Sequence, residues 1–295
     1  MEAWITFTLL AVVMQSLRTA SQKQVSKRIS IQAAALVRFP FGIKFAVLYF
    51  FLVMRIYQPI HIELTSKFII SGALASVSQI LATVFLIKAL TLRNFSVGTA
   101  LAKTEALLTA ILGAMFFSAH LSFWGYFSVF FGVCGLLVAS NWKVTLRDFS
   151  DNQSIRYGIG AGLGFALASL WIRDASLSLE TPLIVSAAAV LFYMVVLQSL
   201  ICLTWISLQE PEQFAKIRNN LGTCLFIGFS GVAGSIGWFT AMSLQNAALV
   251  KTLGQVEFIV SLLITYLYFG EKISRREYLG ISLIALSVLL LIGIT

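Results

Sequence analysis

Two glutamates lie deep inside long apolar runs, and they are the residues of this sequence best placed to do chemistry. Glu105 and Glu257 are the only such acids among the twelve Asp and Glu residues. A charge at bilayer depth costs about 2.5–3.5 kcal/mol on insertion scales, so an acid there indicates a function or a specific partner. Two roles remain open. The carboxylates bind a coupling ion or a substrate amine, or they hydrogen-bond a broken neighbouring helix and never change state.

Two basic residues and one amide complete the polar set near these acids. Lys103 precedes Glu105 by two residues, so the two side chains leave a helix on different faces and cannot pair there. The position that matches Lys103 near the second acid is Gln255, so we expect Glu257 to have the less compensated surroundings. For Arg38 and Lys103, one role is to anchor a carboxylate or other anionic group of a substrate. The alternative is an ion pair with Glu105 that only locks helix packing.

Trp238 and Asn246 are further candidates for the lining of a cavity, although helix or lipid packing is the simpler interpretation of each. No G-x-S-x-G, H-E-x-x-H or Walker sequence is present, and no cysteine is spaced for pairing with a histidine. The sequence therefore predicts neither an enzyme nor a metal site, and no cofactor.

The segments around the two acids are two copies of one unit. Residues 89–117 and 241–269 align without a gap at an offset of 152, the separation of Glu105 from Glu257. The alignment also places Asn94 on Asn246. At slightly larger offsets Arg18 matches Arg173, while Arg38 falls on an aromatic residue. The chain is therefore an internal repeat.

Composition identifies the environment of these repeats. Apolar side chains make up 59% of the 295 residues and charged ones only 11%, against about 25% charged in soluble domains. There is too little polar surface for a soluble globule, so we expect an integral membrane protein. The net charge of +9 is scattered over short loops, which suits anionic lipid and argues against a nucleic-acid partner.

Apolar runs of membrane-spanning length predict an all-α fold of ten transmembrane helices. The predicted spans cover residues 3–17, 31–54, 68–87, 97–117, 123–140, 157–172, 182–208, 221–243, 252–269 and 278–294. Residues 1–140 form one five-helix repeat, 141–156 a polar linker, and 157–295 the second repeat. An odd number of spans per repeat inverts the second copy in the membrane. The first and sixth spans can extend past Arg18 and Arg173 if those side chains snorkel to the membrane surface.

The loop charges predict an orientation. Fourteen Lys and Arg residues fall in the odd-numbered loops and four in the even-numbered ones, where Lys251 and Arg173 are counted. Because positive loops stay in the cytoplasm, this bias predicts that both termini are outside.

Several short segments resemble the EamA-domain carriers of the drug/metabolite transporter superfamily. They are ALVRF at 35–39, KTEALLTAILG at 103–113, QVEFIVSLL at 255–263, and FGEKIS at 269–274 before a glycine-bearing last helix. Two departures are Phe258, where the family commonly has proline, and FFSAHLS at 116–122, which lacks the glycine–glutamate turn. The resemblance implies cytoplasmic termini, opposite to the charge count, and it implies export.

The sequence thus predicts a secondary transporter that moves a small polar or amphipathic metabolite, such as an amino-acid-like solute, by alternating access. The expected location is a plasma membrane, the inner membrane of a bacterium. The expected partners are a small-molecule substrate and the lipid bilayer, with a coupling proton or cation left open. The alternative is a non-transporting membrane scaffold or lipid-handling subunit, in which the deep acids would be dispensable. The sequence does not set the oligomeric state.

Overall fold

A computed structural model describes residues 2–58, 60–92, 102–139, 153–260 and 274–294, and every regular element in these ranges is α-helical. The helices are α1 Ala3–Val25, α2 Ile31–Leu36, α3 Arg38–Ile56, α4 Ser66–Thr91, α5 Glu105–Phe116, α6 Phe123–Ala139, α7 Gln153–Leu177, α8 Leu183–Gln209, α9 Gln213–Asn219, α10 Leu221–Leu244, α11 Ala247–Leu253 and α12 Arg275–Ile294.

Within the described residues, seven helical segments are long and apolar enough to cross a membrane. They are α1, α2 with α3, α4, α7, α8, α10 and α12, and they correspond to seven of the ten predicted spans. The shorter apolar helices α5 and α6 lie at the predicted fourth and fifth spans. Residues 93–101 and 261–273, where the rest of the fourth and ninth spans is predicted, lie outside the described residues. The all-helical membrane fold is confirmed, while the count of ten stays a prediction.

Hydroxyl side chains cap two of the helices and also join loops. The Ser30 hydroxyl accepts a hydrogen bond from the first turn of α2 and donates to Glu210, and Arg28 donates to Asn220 at 3.0 Å. The Thr65 hydroxyl caps α4 in the same way and lies 3.4 Å from the Ser178 hydroxyl. Because α2 and α3 run between these two loop contacts, the contacts lie at opposite ends of the helix bundle.

The helices pack in a pattern that is unchanged when the two repeats are exchanged. α1 of the first repeat packs along α10 of the second, and α7, the repeat partner of α1, packs along α4, the partner of α10. Two contacts join a helix to its own counterpart: α3 with α8, and α6 with α12. In addition, α5 of the fourth predicted span contacts α11, which leads into the ninth predicted span. The fourth and ninth predicted spans therefore meet at the centre, as the repeat alignment predicts.

Glycines spaced by three residues allow α10 to approach its neighbours closely. A Cβ atom added at Gly228 would lie 2.5 Å from the backbone carbonyl carbon of Phe41 in α3. One added at Gly237 would meet the backbone oxygen of Phe7 and lie 2.9 Å from the backbone nitrogen of Ala11, both in α1. Neither backbone can yield without moving a helix. This stripe is a packing surface, as its small-residue spacing indicates.

We expect Gly237→Ala to destabilise the protein because the added methyl group must push α1 away from α10. Overpacking of this kind costs about 1–3 kcal/mol, which would lower the midpoint of thermal unfolding of the purified protein in detergent. Gly222→Ala is the matched control in the same helix, since nothing lies within 4 Å of its added Cβ. A stability loss at Gly222 equal to that at Gly237 would contradict the packing argument.

Candidate functional site

In both repeats a two-residue turn lies just before the deep acid. In the second repeat α11 ends at Leu253, Gly254 and Gln255 form a turn, and helix resumes at Val256. In the first repeat Lys103 and Thr104 form the turn, and α5 begins at Glu105. Glu105 and Glu257 therefore lie in the first turn of a helical segment, where the positive end of the helix dipole favours a carboxylate. Each acid therefore lies next to a turn in its own predicted span.

Two ion pairs cross between the repeats at these breaks. The Lys103 ammonium of the first repeat pairs with the Glu257 carboxylate of the second. The Lys251 ammonium of the second repeat lies 3.5 Å from the Glu105 carboxylate of the first. Lys103 thus pairs with the acid of the other repeat and not with Glu105, the partner considered for it from the sequence.

Two sequence expectations about these charges are wrong. Lys251 is only 7% exposed and does not lie in a loop, because α11 begins at Ala247, five residues before the predicted ninth span. Glu257 does not have the less compensated surroundings, because Lys103 lies against it. The repeat alignment matches equivalent residues with each other, so it did not reveal either of the two ion pairs.

A glutamine and an indole connect the two ion pairs. The Gln15 amide in α1 donates to the Glu257 carboxylate at 2.9 Å, and the Trp238 indole N–H donates to the Gln15 carbonyl at 2.9 Å. The Lys251 ammonium lies 4.2 Å from the centroid of the Trp238 ring, in cation–π range. The result is a continuous polar chain from Lys103 to Glu105, with Trp238 at its centre.

Sequence reasoning missed Gln15, although a signal was present. Gln15, Arg18 and Gln22 follow one another at steps of three and four residues in the otherwise apolar α1, which places them on one helix face. A polar stripe inside a membrane span usually faces the bundle interior. Both Arg18 and Gln22 are buried.

A cavity of about 20 Å³ lies beside this polar chain. Its polar lining consists of Gln15, Arg18, Arg38, Gln79, Ser169, Ser235, Trp238 and Lys251. That volume suits about one water molecule, so a metabolite requires the surrounding helices to separate.

The two arginines of the cavity are deeply buried. Arg18 is 3% exposed and Arg38 4%, and no described carboxylate lies within ion-pair distance of either. Arg38 donates to the Thr83 hydroxyl at 3.4 Å, and its guanidinium lies 4.6 Å from the Phe39 ring centroid. The expectation that Arg18 snorkels is wrong: α1 does continue past it, to Val25, but the side chain points into the protein.

Two predicted candidates lie away from the cavity. Asn246 caps α11 by accepting from the backbone N–H of Ala248 at 2.9 Å, and it is not among the cavity-lining residues. Gln255 is buried with both amide atoms lacking hydrogen-bond partners among the described residues, and it faces Gly132 in α6. Lys103, Glu105, Glu257, Trp238 and Arg38 are the predicted residues that the structure gathers around the centre.

The chemistry available here is recognition through charge and hydrogen bonding. Four cations, two carboxylates, amides and hydroxyls surround or line the cavity. In the described part of the chain, no three His, Cys, Asp or Glu side chains come together in a way that would hold a metal ion.

Comparisons with known proteins agree with this architecture. The model of the EamA-like transporter family matches residues 2–141 and 154–293, one match for each repeat. A Sinorhizobium sp protein named an uncharacterized transporter in the cobO 3′ region is 35% identical over 72 residues, which are 23% of this chain and 51% of that relative. The match thus spans about half the length of the relative. A protein of known crystal structure, 13% identical, superimposes with a TM-score of 0.64 over 98% of this chain and 99% of its own, which shows a shared fold.

We expect Lys251→Gln to destabilise the protein strongly, because it leaves the Glu105 carboxylate buried without its cation. Removing one partner of a buried ion pair costs about 3–5 kcal/mol, whereas replacing both is often neutral. The double variant Lys251→Gln with Glu105→Gln should therefore be more stable than Lys251→Gln alone. The measurement is a double-mutant cycle on thermal unfolding in detergent.

The control breaks an ion pair at the surface. Lys67 lies 2.9 Å from Asp174, and its side chain is 62% exposed, so Lys67→Gln should cost about 1 kcal/mol or less. Additive losses for Lys251→Gln and Glu105→Gln would show that the central charges do not interact.

Proposed function

The chain belongs to the EamA-like transporter family, and on this premise we propose that it is a secondary transporter for a small polar or amphipathic metabolite. The observation that carries the proposal is the pair of crossed ion pairs, Lys103 with Glu257 and Lys251 with Glu105, beside a polar cavity between the repeats. The proposed architecture is ten spans in two inverted repeats, within the inner membrane of a bacterium. The proposed direction is export of an amino-acid-like solute.

Alternating access requires contacts between the two halves that can break and re-form. Each central ion pair has its cation in one repeat and its anion in the other, so a relative movement of the repeats must lengthen or exchange these pairs. A substrate amine, a proton or another cation that takes the place of a lysine on Glu105 or Glu257 would compensate the carboxylate during that movement. Substrate or ion binding would then be coupled to the conformational change.

The two ion pairs have different surroundings, so we expect them to open at different steps of alternating access. The Lys103 side chain is 25% exposed and that of Lys251 only 7%. The Lys251–Glu105 pair is also held against the Trp238 ring, whereas the Glu257 carboxylate accepts an additional hydrogen bond from Gln15. We therefore assign the Lys103–Glu257 pair as the one that opens first.

Glu105→Gln and Glu257→Gln should abolish transport under conditions where the variants remain folded. An amide keeps the size of the side chain and can still accept a hydrogen bond from the lysine, but it cannot exchange a cation. After a metabolite is identified by its stabilisation of the purified protein, its flux in proteoliposomes is measured per folded molecule and well below the unfolding temperature. Turnover should fall at least tenfold, equivalent to about 1.4 kcal/mol in the barrier.

Glu180→Gln serves as the carboxylate-to-amide control, because Glu180 is an exposed loop residue. It should transport at the wild-type rate. Wild-type turnover by both central variants would make the acids packing elements and would favour a scaffold or lipid-handling role.

The orientation can be tested independently. Of the eighteen Lys and Arg residues that the sequence places between predicted spans, fourteen fall in the odd-numbered loops and four in the even-numbered ones. This bias supports the proposal that both termini are outside. A reporter enzyme fused after Thr295 that requires an extracytoplasmic location should be active. Activity only of a cytoplasmic reporter at that site would reverse the orientation.

A further inference from the structure

Two arginines of the central cavity form no ion pair among the described residues. Arg18 and Arg38 line the same cavity, each is more than nine-tenths buried, and the described carboxylates form their ion pairs with lysines instead. The Nε atom of Arg18 has no hydrogen-bond partner among the described residues. A buried guanidinium with an unsatisfied donor is costly unless an anion occupies the site during function.

The two side chains flank one point on α10. A Cβ atom placed on Gly231 would lie 3.6 Å from Cδ of Arg18 and 3.6 Å from Cβ of Arg38. Both side chains line the same cavity, and no described carboxylate lies within ion-pair distance of either. Positive charge is therefore concentrated at one wall of the cavity.

The residues that match Arg18 and Arg38 in the second repeat make structural contacts. Arg173, which matches Arg18, donates to the backbone oxygens of Met242 at 2.5 Å and of Gln245, and so caps the carboxyl end of α10. Arg18 instead lines the cavity, and its Nε atom has no hydrogen-bond partner among the described residues. The position that matches Arg38 in the second repeat is Phe192, which stacks on Phe50. The cationic pair is thus confined to the first repeat.

We propose that Arg18 and Arg38 form the binding site for an oxyanion, a carboxylate or phosphate group, on the transported metabolite. This inference rests on the proposed transport function and names the class of its substrate. A guanidinium presents a planar fork of N–H donors that matches two oxygens of such a group, and two guanidiniums on one wall bind it more strongly than a lysine would.

The remaining lining residues suit the rest of an organic anion. Gln15, Gln79 and Ser235 offer hydrogen-bonding groups, while Phe239 and Met242 offer apolar surface. The Lys251 ammonium also lines the cavity but already has the Glu105 carboxylate as a partner. The substrate that fits is therefore a small metabolite with one oxyanion group, hydroxyl or amino substituents, and a short carbon skeleton.

The test measures anion binding to the purified, full-length protein in detergent. Acetate, succinate and inorganic phosphate are titrated at constant ionic strength, with chloride as the balancing anion and glycerol as a neutral solute, while thermal unfolding is followed. We expect at least one oxyanion to raise the unfolding midpoint and glycerol to have no effect, since a ligand stabilises the state that binds it. The relative effects of succinate and phosphate distinguish a carboxylate from a phosphate substrate.

Substitutions then locate the site. Arg18→Gln and Arg38→Gln should each weaken the apparent affinity at least tenfold, and Arg18→Lys, which keeps the charge and loses the fork, should weaken it less than Arg18→Gln. Arg173→Gln is the matched control from the second repeat: it should lower the unfolding midpoint but keep the wild-type affinity. Lys216→Gln removes an exposed charge and should change neither.

Three outcomes would overturn the inference. They are no stabilisation of the wild-type protein by any of the oxyanions, unchanged affinity in both arginine variants, and an equal loss of affinity in Arg173→Gln. Flux measurements separate this inference from the proposed function. A protein that transports a neutral or cationic solute without binding an oxyanion would refute the arginine site alone, whereas arginine-dependent binding without flux of any bound anion would refute transport alone.

Discussion

Opposite charges that pair across the two repeats determine the centre of this protein. A lysine or glutamate in the middle of a bilayer is tolerated only with a partner or a polar cavity. Lys103 finds its carboxylate in the second repeat, and Lys251 finds its carboxylate in the first. Among the described residues, neither repeat pairs its own central lysine with its own central glutamate, so the two repeats must associate at this level. The helix breaks before Glu105 and Glu257 and the bridge through Gln15 follow from that requirement.

The repeat was predictable from sequence, whereas its charge pairing was not. An alignment superimposes equivalent residues, so it placed Glu105 on Glu257 and Lys103 on Gln255 and gave no reason to compare Lys251 with Glu105. Hydropathy also ends a predicted span at the first charged residue. For this reason Lys251 was predicted to lie in a loop and Arg18 at the end of a span, although both side chains are buried. A charge marks a helix end only when it has no partner inside the protein, and partners belong to the tertiary structure.

A symmetric scaffold holds an asymmetric cavity. The glycine-rich α10 packs against α1 and α3, and the exchange-related α4 packs against α7, so the backbone arrangement of the two repeats is equivalent. The charges are not equivalent. Arg173 caps the carboxyl end of a helix, whereas its match Arg18 lines the cavity. Arg38 also lines the cavity, whereas its match Phe192 stacks on another aromatic ring. Duplication of the fold allows one copy to keep the structural contacts while the other supplies recognition groups.

The packing of α1 against α10 has a consequence for biogenesis. The two helices are separated by almost two hundred residues, so α1 enters the membrane long before α10 has been synthesised. During that interval Arg18 lacks the surface of α10 that later packs against it, and an arginine at the centre of an isolated helix opposes insertion by about 2.5–3.5 kcal/mol. The first helix therefore gains its full stability in the membrane only when the second repeat arrives. Synthesis of the second repeat is thus the step that fixes the final position of the first helix in the membrane.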